Sequence, residues 1–176
     1  MLLDSLSESG VRLTTMEVTF PRFVLAEFNT HRVLSRNSAS SRAIPTSRII
    51  DRVEVDPVLP VEWGRNQAGM SASDVLTEQE IEEGKAVWLA ARDAVVAQAR
   101  HLQELHVHKQ VVNRILEPWM WHTVIVTATE WSNFFELRCA PNAQPEIREA
   151  ALQMRRALEG SRPQRVAAGQ WHLPLI

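Results

Sequence analysis

The sequence predicts an α+β fold in a single domain over residues 1–176, and three observations carry the prediction. Residues 120–130, MWHTVIVTATE, form a near-continuous β-branched and apolar run, as in a well-buried strand. Residues 78–104 place Ile81, Trp88, Val95 and Leu102, with Ala91 and Ala99 between, on one stripe at helical spacing. Strand-like and helix-like stretches are mixed along the chain without a regular βαβ alternation.

The remaining elements follow in order. Val11, Leu13 and Thr15, then Met16, Val18 and Phe20, alternate as a strand with one phase slip. Pro21 suits a first helical turn, and FVLAEF continues as a short helix. Pro45, Pro57 and Pro60 predict turns and irregular chain up to about residue 73. Thr77 and Glu80 have capping-box spacing at the head of the long helix, with Glu82 and Glu83 following. HKQVVNRIL predicts a helix over 108–116 that stops at Pro118. Ser132 is positioned to cap a short helix, SNFFELR. Pro145 starts a last helix, striped by Ile147, Ala151, Met154 and Leu158 and ended by Gly160. The tail from Ser161 shows no clear period.

Composition narrows the function. A formal net charge of −2 disfavours a general polyanion binder, so any anion site must be local, and no nucleic-acid partner is expected. One cysteine, Cys139, allows no internal disulfide and suits a reducing cytoplasm. Its environment shows no thiol-enzyme signature, which favours a structural role. The start, MLLDSLSESG, has no basic region or long apolar run, so no signal peptide is expected. No stretch approaches the roughly 18–20 apolar residues of a membrane span. Neither GxGxxG nor GxxxxGK[ST] occurs. His106 and His108, read at i,i+2 on a helix, diverge too far to share an ion, and no metal site is expected. Six tryptophans stand against no tyrosine, with Trp119, Trp121 and Trp131 close together, for packing or as a wall for a flat ring.

One stretch is unusual. Residues 28–45, FNTHRVLSRNSASSRAIP, hold a histidine, three arginines, four serines and two asparagines with no carboxylate. Arginines also stand at element ends, at Arg114 and Arg138. Guanidinium forks fit phosphates bidentately, and hydroxyls and loop amides add neutral donors. Residue types alone leave two readings: an anion site, or a solvated loop with arginines complementing helix dipoles.

The order of residues adds a resemblance. THRVLSRNSASSR resembles the signature of the flavin-dependent thymidylate synthases, Arg-His-Arg, seven residues, then Ser and a following Arg. NFFELRCAPNAQPEIREAA resembles the family's N-F-x-x-L-R…A-Q-x-E-I-R segment, and VVNRILEP resembles its helix end with Arg and then Pro. The three blocks keep the family's order over about residues 16–158, leaving 159–176 as a tail. The resemblance implies a mixed or antiparallel sheet packed against long helices. It also implies a cytoplasmic homotetramer with sites shared between subunits.

The implied reaction is reductive C5-methylation of a pyrimidine mononucleotide, dUMP to dTMP by default. FAD is the implied cofactor, with NADPH and 5,10-methylenetetrahydrofolate as cosubstrates. By position, Ser40 and Arg42 match residues on the nucleotide phosphate, with loop amides from Ala39 to Ser41 assisting. Arg114 matches a helix arginine on the nucleotide, and Arg138 one that holds the pyrimidine ring and acts in catalysis. His31, Arg32, Ser35 and Asn133 match flavin-side positions, while Asn37 shapes the loop. Four positions depart from the family. Thr30 replaces the first signature arginine on the FAD side, and a threonine offers one hydrogen bond but no fork. Ser38 replaces a frequent Glu or Gln beside the nucleotide, Glu27 a Gln near the base, and Asn142 a His. The family's N-terminal flavin-contacting segment has no counterpart before Val11. These departures keep open methylation of UMP or dCMP, and a nucleotide-binding relative without the chemistry.

Overall fold

The computed structural model describes residues 1–68, 72 and 74–176. It divides into two compact units: Met1–Phe20, Val24–Ser38 and Thr123–Ile176 form the first, Pro21–Phe23 and Ala39–His122 the second. Each buries its own apolar core.

The first unit is built on a five-stranded mixed sheet of order β3-β4-β2-β1-β5. Strands β1 (Leu3–Ser7) and β2 (Arg12–Pro21) pair antiparallel, with Leu3 opposite Thr15. Gly10 lies between them at φ +84°, a left-handed conformation that a side chain resists. Strand β3 (Ser35–Ser38) runs antiparallel to β4 (Trp121–Ala128), Ser35 opposite Thr127, and β5 (Gln164–Val166) runs parallel to β1. One face of β2 buries Thr14, Met16, Val18 and Phe20. They share a core with Val124, Val126, Phe134 of α5 (Ser132–Arg138), and Ile147, Ala151 and Met154 of α6 (Pro145–Glu159). Each large apolar side chain so buried stabilises by about 1.5–3 kcal/mol.

In the second unit α2 (Thr46–Val55), α3 (Glu78–Glu104) and α4 (Lys109–Ile115) enclose Ile49, Ile50, Val53, Val96, Ala99, Val112 and Leu116. A short helix, α1 (Leu25–Asn29), belongs to the first unit and follows a 3-10 turn at Arg22–Val24. The capping box of α3 forms as its spacing predicts: Thr77 Oγ1 accepts from the Glu80 amide, and the Glu80 carboxylate accepts from the Thr77 amide. Trp88 and Trp119 pack at 5.7 Å between ring centres, and Trp88 Nε1 donates to the Val58 carbonyl at 2.9 Å.

Several expectations need correction. Residues 46–55 are helical, because Pro45, which reads as a breaker, occupies the N-cap position and Ile49, Ile50 and Val53 supply a buried face. Ser132 is the first residue of α5 and caps nothing; the Glu130 carboxylate accepts its amide at 2.6 Å instead. The phase slip in β2 is one unbroken strand whose second face is partly covered at Thr15. Thr15 Oγ1 and Ser5 Oγ each lie 2.8 Å from a ring nitrogen of His172, so the aperiodic tail is ordered by side-chain bonds and by β5. Strand β4 is half-buried, with Trp121 and Thr123 exposed. His106 and His108 lie in the connection after α3, where His108 Nδ1 accepts the Gln110 amide at the head of α4. Cys139 packs against the first core, and burial pushes its thiol pKa up, as for a structural cysteine.

Candidate functional site

In the first unit the chain after α1 turns sharply, and an arginine pair holds the turn. Arg36, carried out on β3, donates to the His31 carbonyl at 2.7 Å and the Phe28 carbonyl at 3.4 Å. His31 is 5% exposed and meets Phe134 edge-on, ring centres 4.9 Å apart. Arg138, the last residue of α5, donates from Nε to His31 Nε2 at 2.8 Å, which fixes that nitrogen as the unprotonated one. Burial first, then the charges of Arg138 and Arg36, lower the His31 pKa, so the ring is neutral near pH 7. Arg138 Nη2 also donates to Thr30 Oγ1 at 3.2 Å, while Thr30 Oγ1 donates to the Glu27 carbonyl at 2.7 Å. Thus Glu27, Thr30, His31 and Arg138 come together. One carboxylate oxygen of Glu27, Oε2, is buried without a hydrogen-bond partner among the described residues. Arg32, Ser35 and Asn133 are exposed, and their side chains have no protein partner among the described residues. Ser38, the last residue of β3, is exposed as well.

The second unit holds the other part of the segment. Ser40 accepts the Ala43 amide through its carbonyl at 2.9 Å, and its hydroxyl accepts the Arg42 amide at 3.4 Å, making a tight turn. Beneath it lies Asn113 of α4, fully buried. Its Nδ2 donates to the Ser41 carbonyl at 2.7 Å and the Ile44 carbonyl at 3.1 Å. Its Oδ1 accepts from Thr46 Oγ1 at 2.7 Å, and Lys109 Nζ donates to the Ala43 carbonyl at 3.2 Å. The loop's carbonyls are therefore turned towards α4. Arg42 and, one residue beyond Asn113, Arg114 are exposed, with no ion pair among the described residues. A guanidinium without a carboxylate partner is available to an anion.

The family described as thymidylate synthase complementing protein matches residues 12–164, most of the chain and all three sequence blocks. The chain belongs to that family. No curated protein matches it. A solved structure similar in fold is the UMP/dUMP methylase PolB from Streptomyces cacaoi bound with 5-Br UMP. The TM-score is 0.65 at 16% identity, over 84% of this chain and 69% of that one.

For this member of the thymidylate synthase complementing family, the side chains bear on the implied cofactor unequally. Arg32, Ser35 and Asn133 are open donors in the first unit and suit a phosphate-bearing flavin. Thr30 and His31 are engaged by Arg138. Asn113 and Lys109 did not stand out in the sequence, although Asn113 directly precedes Arg114 in the VVNRILEP block, and Arg36 counted there only as one of the segment's three arginines. A small polar residue following Val111 and Val112 on a short helix was the available signal. Among the described residues no group of three or more His, Cys, Asp or Glu could hold a metal ion, and no helix is long and apolar enough to cross a membrane.

Proposed function

We propose that this protein methylates C5 of a pyrimidine mononucleotide, dUMP by default, with FAD as cofactor and NADPH and methylenetetrahydrofolate as cosubstrates. The observation that carries the reading is the second unit's loop, with its carbonyls tied back to Asn113 and Lys109 and two exposed guanidiniums, Arg42 and Arg114, that have no ion pair among the described residues. A nucleotide phosphate fits that arrangement, with Ser40 and Arg42 as its main contacts and Ala39 and Ser41 beside them. Arg138 holds the pyrimidine ring: a cation at the ring oxygen stabilises the charge that develops when C5 becomes a nucleophile. Its bonds to His31 and Thr30 fix the direction of its fork. Arg32, Ser35 and Asn133 hold the flavin, which when bound supplies the reducing equivalents that turn a methylene into a methyl. A homotetramer with shared sites and a cytoplasmic location belong to the same proposal.

UMP is the second substrate to consider, because the chain's fold is similar to that of a UMP/dUMP methylase. Anaerobic incubation with FAD, NADPH and methylenetetrahydrofolate, separately with dUMP, UMP and dCMP, tests both. A mass gain of one methyl on one nucleotide is expected. Binding without any methylation would mark a relative that retains the nucleotide site and lacks the chemistry.

A further inference from the structure

Asn113 has no exposed surface, yet every polar atom of its side chain is committed in one direction. The carbonyls of Ser41 and Ile44 can only accept, so they select the amide orientation in which Oδ1 is left to accept from Thr46 Oγ1 at 2.7 Å. That orientation turns Nδ2 onto the carbonyls of Ser41 and Ile44. The opposite orientation would set an oxygen against two carbonyl oxygens and leave both carbonyls without this donor. Lys109 takes the Ala43 carbonyl. With these carbonyls held inward, the amides of Ser40, Ser41 and Ile44, which have no protein acceptor among the described residues, are left for a ligand.

We infer that Asn113, its buried amide oxygen satisfied by Thr46, is the positioning residue that holds the Ser40–Ile44 loop in its anion-accepting form and so sets the preference for a phosphorylated nucleotide over its nucleoside. The inference rests on the reading of this loop as the phosphate site. Asn113 touches no ligand in this scheme; it acts through the loop backbone.

The test compares dUMP and deoxyuridine binding to the full chain. The variants are Thr46→Val, which removes the donor to the buried Asn113 Oδ1, Thr46→Ser, which keeps it, and Asn113→Asp, which replaces the amide donor by an acceptor. Thr46→Val should lower the dUMP-over-deoxyuridine preference by about tenfold, the scale of one hydrogen bond. Thr46→Ser should retain the wild-type preference. Asn113→Asp, where it folds, should lose more. A Thr46→Val protein with unchanged preference overturns the inference, as does a parallel loss of both ligands, which is what a merely structural role produces. A wild type without phosphate preference overturns the reading of the loop, and this inference with it.

Discussion

The two parts of segment 28–45 direct their hydrogen bonds in opposite ways. In the first unit two cations point inward while Arg32 stays exposed: Arg36 and Arg138 donate to the backbone and ring of His31, and Thr30 stands between Arg138 and the Glu27 carbonyl. In the second unit the carbonyls point inward, to Asn113 and Lys109, and Arg42 stays exposed. Donors close in sequence thus differ in availability. A motif's residue types say what could bind; the backbone's own hydrogen bonds decide which of them are still open.

Acid should act on both units, and most strongly on the second. His122, 7% exposed and facing Arg22 at 3.2 Å, has its pKa lowered to about 4 by burial and then by that charge. Its folded pKa lies below the unfolded 6.5, so the unfolded chain takes up its proton first as pH falls. The stability it contributes is present above pH 6.5 and is lost down to about pH 4, on the order of 3 kcal/mol. His31 acts in the same direction. Denaturant melts between those pH values should show the loss, and His122→Asn should flatten it.

Arg138→Ala sharpens the comparison on the first unit. Removing the donor to His31 should cost about 1–2 kcal/mol of stability and impair turnover more than FAD content. It should also raise the His31 pKa towards its ordinary value, part of the depression being due to that charge. Ring-proton titration by NMR reads the shift, and an unmoved His31 would break the proposed coupling. Thr30→Val should have the smallest effect, below about 1 kcal/mol in a melt, with FAD content unchanged. Loss of flavin from that variant would mean that Thr30 serves the cofactor despite its bonds to Arg138 and Glu27.

Much of this fold was legible because local signals agreed with tertiary demands. The Thr77–Glu80 box formed as its spacing pointed, the α3 stripe packs through Trp88, Val95, Ala99 and Leu102 although Ala91 is exposed, and the β-branched run of β4 is a strand buried on one face. Helix α2 was missed because proline both breaks and starts helices, and only the buried Ile49–Ile50–Val53 face decides which. Strands β1 and β5 are short and polar, held by pairing partners distant in sequence, Ser5 with Gln164 for one. At the site, the family's residue order indicated Arg42, Arg114 and Arg138. It could not indicate that Arg138 is spoken for by His31, or that Asn113 carries the loop, because both depend on contacts about 70 to 107 residues apart.

Arg42→Ala and Arg32→Ala, measured side by side for dUMP affinity and FAD content, test the division of the segment most directly. Arg42→Ala should weaken dUMP by about 30-fold, as for a lost charge-assisted bond, and keep its flavin, while Arg32→Ala should lose flavin and bind dUMP as the wild type does. Equal effects of both variants on both ligands, or wild-type dUMP affinity in Arg42→Ala, would contradict the assignment.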